Sequence, residues 1–294
     1  MKFIVIGKEG FIAQKLIKKI EKKYKYMTTS IDVSSLESVF LDLEKPDQFD
    51  YNIIEKDDFI VFLAAISSPD ICKNNYNLAY QINVEGTRYF IEKALLRRAR
   101  ILFFSSDTVY GSSGEKLNDS IICFDENSKC FPIGEYGNMK QEIERNFENE
   151  DNFKVFRMSY VFSKKDKFSS YIYNCYKNKE KAEVFHPFYR NVVYIEDVLD
   201  SIENLYKNWS QFENKYFNLC GKELVSRKDI VKFIYENFKE KLNYNIIEPD
   251  RDFFSARPKI ISTRSNYLSF LLGREPYSIQ EALKLEFKED IKNG

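Results

Sequence analysis

One short stretch decides the fold, and it reads KFIVIGKEGFIAQKL at residues 2–16. A run of apolar, β-forming residues leads into a turn with Gly7 and Gly10, after which apolar residues recur at helical spacing. Strand, glycine turn and helix in this order are typical of a parallel sheet whose first helix binds a pyrophosphate at its N-terminus. The spacing is G-x-x-G followed by Ala13, which differs from the G-x-G-x-x-G of the commonest dehydrogenase turns.

The same alternation of strand and helix continues along the chain. Apolar runs predict further strands at 24–31, 57–67, 99–106, 153–162, 191–198 and 215–221, and amphipathic patterns predict helices at 79–99 and 136–149. Continuous apolar strands separated by helices indicate a parallel sheet covered on both faces. We therefore predict an α/β fold, a doubly wound Rossmann sheet with a smaller mixed α/β C-terminal substrate domain. The predicted dinucleotide-binding domain spans 1–162 with strands returning near 191–221, and the substrate-binding lobe comprises 163–190 and 222–294.

Composition excludes several classes of function. The 294 residues include 45 Lys+Arg and 45 Asp+Glu, so the zero net charge gives no broad attraction to nucleic acid or to an anionic membrane. No apolar run approaches the ~18 residues of a membrane span, and no signal-peptide pattern is present, so we expect a cytoplasmic protein. Five cysteines without a C-x-x-C pair and a single histidine, His186, argue against a disulfide framework and a metal site.

Two segments carry the candidate chemistry. Tyr136 and Lys140 are four residues apart at the start of a predicted helix, so both side chains share one face. An ammonium near a phenol lowers the pKa of the phenol, which predicts an acid/base pair that works near neutral pH. The second segment, Ser105–Gly111, follows the strand at 99–106, and its hydroxyls lie at the sheet edge where ligands bind in such folds.

An acid about 20 residues beyond the glycine turn would bind the adenosine ribose of a dinucleotide. Asp32, 22 residues after Gly10, is one candidate and would select NAD. Alternatively, Thr29 or Ser30 ends the strand and leaves room for the 2′-phosphate of NADP. Asp42 is placed near the adenine, and either aspartate has an equal claim to be a helix cap or turn carboxylate. The choice between NAD and NADP therefore stays open.

Taken in order, these segments resemble the extended short-chain dehydrogenase/reductase family. The resemblance runs from residue 2 to about 285 and rests on IVIGKEGFIAQKL, VFLAAISSPD, NVEGT, FFSSDTVYG, EYGNMK, VFRMSYVF and RNVVYIEDV. It implies NAD or NADP bound on a Rossmann sheet and a nucleotide-diphosphate sugar as substrate. It also implies Tyr136 as the general acid/base, Lys140 as the ligand of the nicotinamide ribose and Ser106 as the hydroxyl partner. The implied cofactor-binding positions are Gly7, Gly10, Phe11, Ile12, Asp32, Asp42, Leu43, Ala64, Ala65, Asn83, Tyr136 and Lys140.

Within that family, the dTDP-4-dehydrorhamnose reductases are similar in length, in G-K-x-G and in the Arg257-Pro258 step. The 4,6-dehydratases carry Thr-Asp-Glu where this chain has Ser106-Asp107-Thr108, so the glutamate base of the elimination is missing. We therefore expect a 4-keto reductase of a deoxysugar nucleotide. The more epimerase-like RNVVYIEDV keeps a 4-epimerase or C4-dehydrogenase open, and a non-catalytic NADP-binding regulatory subunit is the alternative from another class.

Four residues are expected to contact the substrate. Asp107 and Thr108 follow Ser106, and Arg190 and Arg257 are candidates for the diphosphate because a guanidinium fits phosphate oxygens. Surface charge pairs are the alternative interpretation of both arginines. The resemblance also implies a homodimer built on the helices predicted at 79–99 and 136–149.

Overall fold

A computed structural model describes residues 1–34, 37–117, 120–238 and 241–292. Its strands, numbered in chain order, are β1 (Phe3–Ile6), β2 (Tyr26–Ser30), β3 (Val39–Phe40), β4 (Phe59–Phe62), β5 (Arg100–Ser106), β6 (Cys123–Phe124), β7 (Phe153–Met158), β8 (Val161–Phe162), β9 (Ala182–Phe185), β10 (Tyr189–Asn191), β11 (Val193–Tyr194), β12 (Tyr216–Leu219), β13 (Leu224–Ser226), β14 (Tyr244–Ile247) and β15 (Ile260–Thr263).

The α-helices are α1 (Phe11–Ile20), α2 (Pro69–Asn74), α3 (Tyr76–Tyr80), α4 (Thr87–Leu96), α5 (Glu135–Asn146), α6 (Lys167–Asn178), α7 (Ile195–Asn208), α8 (Arg227–Asn237), α9 (Arg251–Ser255), α10 (Leu268–Leu272), α11 (Ile279–Glu286) and α12 (Lys288–Lys292). Short 3₁₀ turns lie at Pro46–Gln48, Tyr51–Ile53, Asp107–Tyr110 and Trp209–Gln211, and a π-helical segment, Gln81–Gly86, joins α3 to α4. No helix among these described ranges is long and apolar enough to cross a membrane.

The main sheet has seven parallel strands in the order β12-β7-β5-β4-β1-β2-β3. Strand β1 pairs with β2 on one side and with β4 on the other. The chain thus reverses its direction of travel across the sheet beside β1, and such a switch point opens a crevice at the carboxyl ends of the strands. The predicted doubly wound Rossmann sheet is confirmed, and β12 returns to it from late in the sequence.

The centre of the sheet is buried on both faces because β1 and β4 are apolar at every position. In β1, Phe3 and Val5 pack into one core cluster, while Ile4 and Ile6 pack into the other. This alternation is what a pleated strand requires, since successive side chains point to opposite faces. The two cores hold the glycine turn after β1 rigidly at the edge of the crevice.

Shorter strands outside the main sheet build a second layer. One small sheet has the order β13-β10-β15-β6, and two more pairs join β8 with β11 and β9 with β14. The strand predicted at 191–198 is shorter than expected, because helix α7 already begins at Ile195. Its first turn carries Glu196 and Asp197, and acidic residues there are favoured by the helix dipole.

Candidate active site

A cleft of about 320 Å³ opens at the carboxyl ends of β1, β2 and β4. It lies beside the switch point, where open parallel sheets bind their ligands. The lining includes six of the predicted cofactor positions, together with Glu9, Ser30 and several apolar side chains. Those six positions are Gly7, Gly10, Asp42, Leu43, Ala64 and Ala65.

The glycine turn is shaped by close approach of the backbone. Gly7 has φ +86°, and a Cβ added to it would lie 2.9 Å from the Cβ of Ala64. Gly10 is the N-cap of α1 and offers no side chain to cap the first backbone N–H groups. The N–H groups of this first helical turn follow Gly10, which lines the cleft, and a helix N-terminus without a side-chain cap suits an anionic pyrophosphate. The residues present therefore fit a dinucleotide.

Replacing Gly7 tests this turn directly. We expect Gly7→Ala to weaken dinucleotide binding at least tenfold, because φ +86° disfavours a side chain and the new Cβ collides with Ala64. Titration calorimetry with NADH and NADPH measures the affinity. Gly273→Ala, where nothing lies within 4 Å of the added Cβ at a similar positive φ, is the matched control. Equal losses in both variants would show that strain in the fold, rather than the cleft, explains the result.

Phe11 and Ile12 open helix α1 but are not among the residues that line the cleft. Both pack against the core beneath the sheet, and Phe11 also borders a separate surface groove. The side chain of Asn83, also predicted to touch the cofactor, is buried in the π-helical segment. It accepts a hydrogen bond from the Ile66 backbone N–H at 2.8 Å and donates to the Ile66 carbonyl oxygen at 2.9 Å. Asn83 thus fixes the loop that carries Ala64 and Ala65.

Asp32 does not line the cleft. Its carboxylate is exposed and accepts hydrogen bonds from the backbone N–H and hydroxyl of Ser34 at 2.9 and 2.7 Å, which lowers its pKa. This is the turn carboxylate of the alternative interpretation. Strand β2 ends at Ser30, which agrees with the alternative in which Thr29 or Ser30 is the last residue of the strand. The carboxylate that reaches this strand end belongs to Glu9, which the sequence analysis did not select.

Lys140 is buried at the base of the site. Its ammonium donates to the Phe104 carbonyl oxygen at 2.8 Å, and it lies 4.5 Å from the ring centroid of Phe103 and 5.7 Å from that of Tyr136. Phe104 is two residues before Ser106, so this hydrogen bond ties α5 to the strand end that carries the predicted hydroxyl. Burial lowers the pKa of Lys140 to about 7.

The pKa of Tyr136 moves in the direction opposite to that expected from the sequence. Burial raises it far above the ordinary value of a phenol, and the charges of Cys72 and Asp107 add to the rise. The physical reason is that burial penalises the phenolate more strongly than the neighbouring amine, itself desolvated, can offset. Tyr136 therefore keeps its proton at neutral pH. Cys72, a buried thiol that donates to the Ile66 carbonyl oxygen at 3.2 Å, is a neighbour that the sequence did not reveal.

The segment after β5 forms a tight turn. Ser106 caps the 3₁₀ helix, and its hydroxyl oxygen accepts from the Thr108 backbone N–H at 3.2 Å and lies 3.0 Å from the Thr108 hydroxyl. Asp107 is buried, which raises its pKa, and Arg190 Nε lies 3.8 Å from its Oδ2. Within the described ranges, that Oδ2 atom receives no hydrogen bond. The Oδ2 atom is therefore balanced only by the charge of Arg190, and its hydrogen-bonding capacity is unused.

Helix α5 is held against this turn by contacts on two sides. A Cβ on Gly137 would lie 2.9 Å from the Thr108 carbonyl oxygen, so the glycine allows the two backbones to touch. Two turns further along, the buried Glu144 carboxylate accepts from Arg157 of β7, with Nη2 to Oε2 at 2.7 Å. Arg157 also donates to the Tyr110 hydroxyl at 3.0 Å. Tyr136, Lys140 and the turn after β5 are thereby fixed relative to one another.

The two predicted phosphate-binding arginines are engaged within the protein. Arg190 donates to the carbonyl oxygens of Tyr189 at 2.6 Å and Pro258 at 2.9 Å. These hydrogen bonds hold its guanidinium beside the Asp107 carboxylate. Arg257 forms a two-fold hydrogen-bonded pair with the exposed Asp70 of α2. A second pair, Lys73 to Asp252 at 2.7 Å, also joins α2 to α9.

A third arginine, Arg227, was missed because nothing in its local sequence marks it. It lies over the rings of Phe168 and Phe188, with its guanidinium carbon 4.9 and 5.2 Å from the two centroids. Its buried Nε has no hydrogen-bond partner in the described part of the chain. Burial lowers the pKa of Arg190 to about 10, and the charges of Arg227 and Arg257 add to the lowering, so the three guanidiniums lie near one another in an electropositive region that Asp107 and Asp70 partly neutralise.

The lowered pKa of Lys140 predicts a pH-dependent stability. Between the folded pKa of about 7 and the unfolded value near 10.4, the unfolded chain binds more protons, so the free energy of unfolding rises with pH. From pH 7 to pH 9 the contribution is about 2 kcal/mol. Urea unfolding of the ligand-free protein and of Lys140→Met measures it. The rise should shrink in the variant while the part due to Lys154, whose pKa is lowered to about 8, persists; identical slopes would contradict the assignment.

The comparisons with known proteins agree with this architecture. A family model described as RmlD substrate binding domain matches residues 1–285. A dTDP-4-dehydrorhamnose reductase of Aggregatibacter actinomycetemcomitans is 28% identical over 148 residues, covering 49% of this chain and 46% of the relative. The aligned segment thus spans about half the length of that curated relative.

Solved structures match over nearly the whole chain. A dTDP-4-dehydrorhamnose reductase from Bacillus anthracis in complex with NADP has a TM-score of 0.80 and 21% identity, with 98% of this chain and 100% of that chain covered. A UDP-glucuronic acid 4-epimerase from Bacillus cereus, in complex with a fluorinated UDP-sugar and NAD, has a TM-score of 0.80 and 17% identity, with 100% and 99% covered. At these identities the likeness concerns the fold. With the match of the family model over residues 1–285, the fold and the sequence lead to one conclusion: the chain belongs to the RmlD substrate-binding-domain family.

Proposed function

We propose that the protein is an NAD(P)-dependent reductase of a 4-keto sugar attached to a nucleoside diphosphate. The single observation that carries the proposal is the position of Lys140, four residues after Tyr136 on α5, whose ammonium donates to the Phe104 carbonyl oxygen two residues before Ser106 at the end of β5. A protein that only binds a dinucleotide needs no buried phenol beside a buried amine. This combination supports an enzyme over a regulatory subunit.

The reduction adds a hydride and a proton to a ketone and yields an alcohol and the oxidised dinucleotide. The nicotinamide coenzyme, when bound, supplies the hydride. Tyr136 donates the proton to the oxygen of the former carbonyl, and its raised pKa keeps it protonated until that oxygen becomes strongly basic. Lys140, with a pKa of about 7, holds a proton that can replace the one lost by Tyr136. The Ser106 hydroxyl orients the same oxygen.

The electropositive region formed by Arg190, Arg227 and Arg257 suits the diphosphate of the substrate. Arg227 has an unpartnered Nε, and Arg257 is paired with an exposed aspartate that a phosphate can replace. Guanidinium groups bind phosphate oxygens through paired hydrogen bonds. Asp107, with its unsatisfied oxygen, and Thr108 lie on the side of the reacting sugar. Residues 163–190 and 222–294 would then serve as the substrate-binding lobe.

A spectrophotometric assay tests the function. Purified protein with NADH or NADPH is given a panel of dTDP-, UDP- and GDP-linked 4-keto sugars, and the absorbance at 340 nm is followed. We expect reductant consumption that depends on the keto sugar. Interconversion of C4 epimers of a UDP-sugar without net reductant consumption would favour the epimerase instead. Dinucleotide binding without turnover of either kind, together with co-purification of an enzyme partner, would favour a regulatory subunit.

A further inference from the structure

The glycine turn carries a carboxylate that is fixed at the end of the second strand. Glu9 lies between Gly7 and Gly10, and its Oε1 accepts a hydrogen bond from the Ser30 hydroxyl. Ser30 is buried and is the last residue of β2, and its hydroxyl oxygen also accepts from the Asp32 backbone N–H at 2.9 Å. Both Glu9 and Ser30 line the cleft. The carboxylate therefore has a defined position at the lip of the cleft.

The charges around this lip are acidic. The described lining residues include the carboxylates of Glu9 and Asp42, and no lysine or arginine is among those described residues. Lys8 and Asp32 lie outside the lining, and Lys8 is near enough to Asp32 to help lower the pKa of that carboxyl. The Asp32 carboxylate is engaged with Ser34. An anionic group placed at the end of β2 thus meets Glu9 first.

The chemistry of the dinucleotide distinguishes two outcomes at such a position. A carboxylate at the end of the second strand accepts hydrogen bonds from the ribose hydroxyls of NAD, and it repels the 2′-phosphate of NADP. We propose that Glu9, from within the glycine turn, takes this role in place of Asp32 and makes the protein selective for NAD(H). The inference rests on the proposed function only in that the cleft binds a dinucleotide.

Binding measurements test the selectivity without any sugar substrate. Fluorescence titration of the ligand-free protein with NADH and with NADPH gives the two dissociation constants. We expect NADH to bind at least about tenfold more tightly. Glu9→Gln removes the charge but keeps hydrogen-bonding capacity toward Ser30. In this variant we expect the preference to fall to about threefold or less, mainly through tighter NADPH binding.

Asp32→Asn is the matched control, because it removes a carboxylate two residues beyond the same strand end. We expect it to leave the ratio of the two dissociation constants unchanged. Tighter binding of NADPH by the unchanged protein, an unaltered ratio in Glu9→Gln, or a loss of preference in Asp32→Asn would each overturn the assignment of Glu9. Binding of neither dinucleotide would instead refute the proposed function itself, and the inference with it.

Discussion

Tyr136→Phe should lower kcat for reduction of the keto sugar at least ~100-fold while the affinity for the dinucleotide stays within about twofold. The substitution removes one oxygen atom and keeps the ring. The ring lies 5.7 Å from the Lys140 ammonium, so the packing around the buried amine is preserved. What is lost is the proton donor, and the penalty belongs to the chemical step because the phenol donates its proton only as charge develops on the substrate oxygen.

Tyr76→Phe controls for the loss of a hydroxyl elsewhere in the chain. Tyr76 begins helix α3 with an exposed side chain, and its variant should turn over like the unchanged protein. Single-turnover measurements with NADH separate the chemical step from product release. A Tyr136→Phe protein with undiminished single-turnover rates would eliminate Tyr136 as the acid, even if the protein remained a reductase.

Glu144→Gln should cost about 3 kcal/mol of the free energy of unfolding. Both Glu144 and Arg157 are almost completely buried, and three hydrogen bonds join the carboxylate to the guanidinium. The amide keeps the shape but leaves a positive charge in the core without its counter-ion. Because this pair also anchors α5, catalytic activity should fall together with stability. Urea unfolding, with catalytic activity measured at each urea concentration including zero, shows both effects.

Two further variants make this result specific. Glu148→Gln changes an exposed glutamate just beyond α5 and should alter stability by less than about 0.5 kcal/mol. The double variant Glu144→Gln/Arg157→Met removes the pair as a whole, and it should recover most of the loss because no uncompensated charge remains. A double variant as unstable as Glu144→Gln would indicate that packing against Tyr110 and Tyr216, rather than the charge, dominates.

Much of the fold was predictable because its signals are local. The strand that contains Phe3–Ile6 and the turn with Gly7 and Gly10 depend on neighbouring residues only, and the seven-stranded parallel sheet follows from repetition of that unit. The break at Gln81–Gly86 was not predictable, since a π-helical segment has the same apolar pattern as an α-helix. Its cause is tertiary: the Asn83 side chain must reach the backbone of Ile66.

Candidate residues could be predicted where a sequence motif marks them at a recognisable point of the fold. They could not be predicted where residues come together only in the folded chain. Tyr136 and Lys140 are predicted as a pair because Y-x-x-x-K opens a helix after a glycine turn, and both residues lie on α5. Asp32 was selected by its spacing, but the strand ends two residues earlier and turns the carboxylate to the surface. Glu9 stood in the sequence between two glycines, yet only the fold shows that its side chain reaches Ser30.

The two ion pairs between α2 and the segment around α9 have a consequence for how the protein takes up its ligand. Asp70 and Asp252 are largely exposed, so each pair contributes little to stability and is screened by salt. If Arg257 binds the diphosphate, as the proposed function requires, the phosphate would exchange one anionic partner for another at little electrostatic cost. Asp70 would then keep the guanidinium neutralised and oriented until the substrate displaces it.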